Sequence, residues 1–271
     1  MTRPVNRPIT LAALLCAGVL WSCDWYEKNT VQSIDGPVPA GAWIKFFNFG
    51  VGSPSVNFYA GSRKMTAVVS TTGRESPNGV AYGGVGVGGF YTALEAGQYT
   101  LSGKIADTAS VDHDLAISTL TTVLEEDKFY SFYQSGTYTP KTVDAFLVED
   151  AFGPQIDYSG ASVRLVNAIF NANPLVLYAT KAAPPDSGLV FTIGAAAAYK
   201  GAGAFTALPG GVYNLAARYV DSTANKLSRT GVSVLAGRVY TITARGDITV
   251  APNTTACPAT SRTCLDNTTN R

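Results

Sequence analysis

Charge is scarce in this sequence. Only 14% of its 271 residues are Asp, Glu, Lys or Arg, against roughly 25% in ordinary globular domains. Gly, Thr, Ser, Ala and Tyr fill the space. Solubility then rests on hydroxyls and turns, a habit of extracytoplasmic β proteins more than of cytosolic helical enzymes. The formal net charge is +1, too small to draw in a phosphate backbone, so nucleic acid is excluded as a partner. Histidine is nearly missing, since His113 stands alone. Any Ser-His-Asp triad would have to use it, and no G-x-S-x-G elbow is present. Long apolar runs are missing too. Ile9 to Trp21 spans about 13 residues, short of the roughly 20 a helix needs to cross a bilayer. No segment combines helix caps with a 3.6-residue period, and Ala195–Ala198 offers one helical turn at most. What is plentiful is apolar material, 46% of the chain, enough for a packed core and too much for general disorder.

The first residues read as a targeting segment. Arg3 and Arg7 form a positive front, the apolar run follows, and Leu20-Trp21-Ser22-Cys23 closes it. This resembles a lipobox, in which a Leu, two mostly small residues and a Cys mark lipidation and cleavage. The resemblance implies a signal peptide over 1–22 and a lipid on Cys23, palmitate-like acyl chains included. Each buried methylene contributes about 0.8 kcal/mol, and stable anchoring takes two or more chains. Residues 23–41 hold Gly36, Pro37, Pro39 and Gly41 with no sustained period, and read as a flexible tether. At the other end, residues 252–271 are rich in Thr, Asn and Pro and read as a flexible tail. Cys257 and Cys264 lie there and are candidates for a small disulfide loop. With no His nearby they do not suggest a metal site.

Between tether and tail the sequence repeats itself. Ile44-Lys45-Phe46-Phe47-Asn48 corresponds to Val163-Arg164-Leu165-Val166-Asn167, and Phe58-Tyr59-Ala60 to Leu177-Tyr178-Ala179. Leu94-Glu95-Ala96-Gly97-Gln98-Tyr99 corresponds to Leu208-Pro209-Gly210-Gly211-Val212-Tyr213, and Phe129-Tyr130-Ser131-Phe132 to Val239-Tyr240-Thr241-Ile242. Four blocks recur in one order. Within them apolar residues alternate with polar ones, as in half-buried antiparallel strands. The expected fold is all-β: two tandem immunoglobulin-like antiparallel β-sandwiches, over 42–150 and 161–251, joined by a short linker.

These blocks resemble the bacterial domain-of-unknown-function family 4397, found in secreted and lipid-anchored proteins. Its opening strand is followed by an Asn or His, a Pro and a Val-x-Tyr-like strand. Asn48, Pro54 and Val56-Asn57-Phe58-Tyr59 fit, as do Asn167, Pro174 and Val176-Leu177-Tyr178. Its Ala-Gly-x-Tyr turn is similar to Ala96-Gly97-Gln98-Tyr99 and Gly210-Gly211-Val212-Tyr213. Its late Ala-Gly block is similar to Ala236-Gly237-Arg238-Val239-Tyr240-Thr241, while the first copy has Glu125-Glu126-Asp127 there. The family often carries Asp where Asn57 stands. The resemblance implies no enzymatic activity and no cofactor.

Motifs that suggest chemistry have plainer readings. Gly84-Val85-Gly86-Val87-Gly88-Gly89 matches G-x-G-x-x-G but lacks a βαβ setting. Asp112-His113-Asp114 reads as a solvated loop, because strand neighbours face opposite ways and cannot converge on a metal. Glu125, Glu126 and Asp127 read as a turn rather than a carboxylate pair. Arg245-Gly246-Asp247, a tripeptide that integrins read, is explained by a turn glycine. The matched tyrosines read as packing, with hydroxyls tied back to turns. Tyr82 and Tyr91 have no partner in the repeat blocks and are candidate ligand-facing aromatics. The expectation is a non-catalytic, exported, lipid-anchored envelope protein with a structural or interaction role, on the periplasmic face or cell surface. Its partners would be the membrane and an envelope polysaccharide or protein. A carbohydrate-binding or adhesive module is the alternative, and an enzyme of unknown type the third.

Overall fold

β-branched and aromatic residues spaced two apart, broken by Gly, Pro and Asp turns, leave the backbone little choice but strands. The computed structural model describes residues 41–66, 68–69, 75–76, 78–153, 156–255, 257 and 263–271. The first repeat contains β1 (Gly41–Asn48), β2 (Val56–Ala60), β3 (Arg63–Lys64), β4 (Val68–Val69), β5 (Glu75–Ser76) and β6 (Gly84–Val85). It continues with β7 (Thr92–Glu95), β8 (Gly97–Ile105), β9 (Ala116–Leu124), β10 (Phe129–Ser135) and β11 (Asp144–Glu149). The second contains β12 (Ala161–Ile169), β13 (Leu175–Lys181), β14 (Val190–Ala197), β15 (Gly201–Ala202) and β16 (Thr206–Leu208). After these come β17 (Gly211–Tyr219), β18 (Leu227–Val234), β19 (Val239–Gly246) and β20 (Cys264–Thr269). Among the described residues the helical structure is one 3-10 turn, Gly86–Gly89.

Each repeat is a two-sheet sandwich. The outer sheets run β3-β2-β8-β9 and β14-β13-β17-β18. The inner sheets run β11-β10-β1-β6, with β7 also on β1, and β15-β12-β19-β20, with β16 also on β12. Strands β4 and β5 pair with each other. Ile44, Phe46, Phe58, Leu101 and Phe132 fill the first sandwich. Leu165, Leu177, Tyr213, Leu215 and Ile242 fill the second. Four of the matched tyrosines tie back to turns. Tyr99 and Tyr213 donate to the carbonyls of Glu95 and Pro209, at 3.0 and 2.7 Å. The hydroxyls of Tyr130 and Tyr240 accept from the amides of Glu125 and Leu235.

Three expectations need correction. The sheets are not wholly antiparallel, because β1 pairs with β10, and β12 with β19, in parallel. A parallel pair needs a long crossover, which the chain supplies by visiting the outer sheet between the two strands. Ala195–Ala197 end a strand instead of forming a helical turn, with Ala197 opposite Leu175 and Gly194 at φ 64° absorbing the irregularity. The C-terminal segment is not a loose tail. Cys264–Thr269 forms β20 and pairs with β19 from Arg245↔Cys264 to Tyr240↔Thr269. A disulfide joins Cys257 to Cys264 at the start of that strand.

The inner strands are buried on both faces, unlike the half-buried strands expected. Along β1 the residues Ile44 and Phe46 face the sandwich core, while Phe47 joins a separate cluster with Phe49, Tyr133, Phe146, Val166 and Ala168. That cluster draws on both repeats, so the two inner sheets pack face to face. Residues Ala40–Arg271 form one compact unit. Each fully buried aromatic in such a seam contributes about 1.5–3 kcal/mol by transfer from water.

Candidate functional site: the seam between the repeats

Strand register shows which residues of the two repeats are equivalent. Tyr130 lies opposite Glu149, and its repeat partner Tyr240 lies opposite Thr269. Glu149 therefore matches Thr269, and Asp150 matches Asn270. By the same logic β6 matches β15, since Asn48 faces Gly84 and Asn167 faces Gly201. Tyr82 then matches Tyr199. The pairs Ala42↔Leu94 and Ala161↔Leu208 make Tyr91 equivalent to Phe205.

These equivalences expose a pseudo-twofold seam. Lys45 of repeat 1 donates from Nζ to the carbonyl of Thr269, 2.7 Å, and to Oδ1 of Asn270, 3.4 Å. Its counterpart Arg164 donates to the carbonyl of Glu149, 2.8 Å, and pairs with the Asp150 carboxylate. Each cation also lies over the equivalent ring, Lys45 over Tyr91 at 4.2 Å and Arg164 over Phe205 at 4.5 Å. Residue i of one half meets j of the other, and j meets i, which is the rule of an isologous interface. Lys45, Arg164 and Asp150 are no more than 2% exposed.

Asp150 is the hub. Ser131 and Tyr91 both donate to its Oδ2 at 2.7 Å. Burial, then the Asp150 charge and hydrogen bond, raise the Tyr91 hydroxyl far above the ordinary tyrosine range. Burial lowers Lys45 to about 8, with Asp150 pulling the other way and Arg164 adding to the drop. Burial also pushes Tyr133 up to about 12.

Tyr82 and Tyr91, singled out as ligand-facing, belong to this seam. Arg245 places its guanidinium 5.1 Å from the Tyr82 ring, and Lys45 covers Tyr91. Both do have repeat partners, hidden because those blocks are too short to align. Arg245 is fully buried and bonds Asp266, so the Arg245-Gly246-Asp247 tripeptide does not offer an accessible arginine. Asp112 pairs with Lys141, and His113 and Asp114 are exposed on the same loop. Glu125 pairs with Lys128 at a turn. No cluster of metal-ligating side chains occurs among the described residues. Cys23 and the lipobox lie outside the described residues. No described helix is long and apolar enough to cross a membrane.

A cleft opens at each end of the seam. The first, about 710 Å³, lies between the β6–β7 connection and β20, with Lys45, Phe90, Leu235, Arg238 and Asp266 among its lining. The second, about 550 Å³, lies between β11 and β15, with Arg164, Lys200 and Phe205 among its lining. They are symmetry mates, but their rims differ. Five residues, 86–90, separate Val85 from Tyr91, where only Gly203 and Ala204 separate Ala202 from Phe205. The longer connection carries left-handed Val87, Gly88 and Gly89, at φ 52°, 63° and 85°. A β-branched residue there is a true outlier, held at a cost of order 1–3 kcal/mol. The connection also projects Phe90, 75% exposed. The other wall differs too. Lys128 sits in an ion triad with Glu125 and Glu149, whereas the equivalents Arg238, Leu235 and Thr269 offer Arg238 no carboxylate. Leu235 is 58% exposed.

No family model matches the sequence, and no curated protein matches it. Several solved structures do. The Bacillus anthracis TIE protein is 10% identical over 77% of this chain and 34% of its own, with a TM-score of 0.23. The chain thus spans about a third of that protein. A candidate cell adhesion protein from Bacteroides ovatus is 12% identical over 87% of this chain and 97% of its own, with a TM-score of 0.24.

Proposed function

We propose that this chain is a non-catalytic, lipid-anchored protein of the bacterial cell envelope that holds two copies of a family-4397-like domain rigidly together and binds a partner at the larger seam cleft. The carrying observation is where the repeats stop matching. Residues that match across the pseudo-twofold, Lys45 with Arg164 and Asp150 with Asn270, tie the halves together. The unmatched residues gather on the rim of one cleft: the 86–90 connection, exposed Phe90 and Leu235, and Arg238, which makes no ion pair among the described residues. Packing explains the first set and not the second. An exposed ring on the rim of a concave surface also supports the narrower reading of a carbohydrate-binding or adhesive module.

The anchor and the cleft are tested separately. Cys23→Ser should move the protein from the membrane fraction to the soluble envelope fraction; retention on the membrane counts against the anchor. For the cleft, the full chain carrying Cys23→Ser should sediment with purified envelope polymer, and a further Phe90→Ala change should abolish this. Equal sedimentation by the Phe90→Ala chain counts against the cleft.

A further inference from the structure

The chemistry of this cleft narrows its ligand. Resting on the reading above, we infer that it takes a carboxylate-bearing saccharide, with the Phe90 ring against a sugar face and Arg238 on the carboxylate.

Four observations converge. The volume, about 710 Å³, falls in the roughly 300–1,000 Å³ range of small-ligand clefts. Phe90 lines the cleft with its ring 75% exposed, so a face is open for stacking. Arg238 is exposed and makes no ion pair among the described residues. A planar guanidinium without a carboxylate is suited to bidentate capture of one.

The fourth observation separates a saccharide from a peptide. An extended peptide would recognise this wall by adding to the open side of β20. Side chains already cap that side. Lys45 holds the Thr269 carbonyl, Arg229 holds the Leu265 carbonyl at 2.9 Å, and the Asp266 carboxylate accepts from the Asn267 amide at 2.9 Å. Stacking and guanidinium contacts remain, and an acidic sugar uses both.

The test is calorimetric titration of the full chain carrying Cys23→Ser with trigalacturonate, with maltotriose as the neutral comparison. Trigalacturonate should bind and maltotriose should bind at least tenfold more weakly. Phe90→Ala and Arg238→Gln should each weaken trigalacturonate roughly tenfold or more, as loss of a charged hydrogen bond or a stacked ring does. Lys128→Gln, the symmetry mate of Arg238, should leave it unchanged. Both exchanged aromatic and cation are exposed, and matching thermal melts establish that the variants fold. Equal affinity for the two saccharides, or unchanged trigalacturonate binding in Arg238→Gln, overturns the acidic-saccharide assignment. If envelope polymer still sediments with the chain in a Phe90-dependent way while trigalacturonate neither binds nor competes, this inference fails and the broader reading stands. If neither polymer nor saccharide binds, both fail. Binding to phosphatidylglycerol vesicles that trigalacturonate does not displace would assign the cleft to a membrane surface and overturn the saccharide.

Discussion

Each repeat reaches across the seam with a cation, but the two contacts differ in kind. Arg164 meets a carboxylate, Asp150, which Ser131 and Tyr91 also hold. Lys45, in the equivalent place, donates to a carbonyl and the neutral amide of Asn270. One half of the seam is a compensated ion pair and the other a cation bound by dipoles. A buried pair becomes expensive only when one partner is removed, whereas the dipole-bound lysine carries its desolvation from the outset, and that burial lowers its pKa. Gene-level duplication thus supplies the geometry, and divergence at single positions sets how firmly each side holds.

The largest expected effect probes that contrast. Asp150→Ala strands Arg164 in the seam and should cost about 3–5 kcal/mol of unfolding free energy. Asn270→Ala removes a neutral partner and should cost about 1 kcal/mol. Denaturant titration of the two variants checks the ranking; equal losses would erase the distinction. Next is the disulfide, which only the second repeat has. Closing a loop of eight residues stabilises by about 2.5 kcal/mol on the chain-entropy account. Reduction should raise amide exchange in β20 and leave β11, its counterpart, unaffected. A smaller effect concerns Asn57, buried to 1% exposure with neither amide atom bonded among the described residues. Its equivalent in the second repeat is Val176, so Asn57→Val should stabilise by about 1 kcal/mol. A loss in the thermal melt would mean that Asn57 has a role in the folded state.

The last is a pH effect. Lys45 sits near 8 in the fold against an ordinary 10.5. In that window the unfolded chain binds more protons, so stability rises with pH from about 8 toward 10. Above about 10 the unfolded tyrosines ionise while half-buried Tyr91 and buried Tyr133 stay neutral, and stability falls again. Lys45→Met should remove the rise and keep the fall. A rise of the same size in Lys45→Met would assign it to another group.

Much of the fold was legible in the sequence. The block pairs around Phe46 and Leu165, Tyr99 and Tyr213, and Tyr130 and Tyr240 placed the strands and the duplication, because core positions tolerate few residue types. The seam was harder to see. Its residues are basic or mixed, as Lys45 and Arg164 are, and alternation makes them look solvent-facing. Their matched positive charge in the opening strand was the available signal. The parallel pairing of β1 with β10 left no local trace, since register between distant strands is set by tertiary packing. β20 was hidden by Thr and Asn, which suit an edge strand as well as a loop. Phe90 and Arg238 became visible as site residues only once register showed what their counterparts were.

Hydrogen exchange on the full chain, resolved to β10 and β19, bears on all of this. If the repeats are locked through equivalent sheets, the central amides of both strands should open with one common free energy, and Asp150→Ala should lower both by the same amount. Loss of protection confined to β10, with β19 untouched, would mean that the two sandwiches are merely neighbours on one chain.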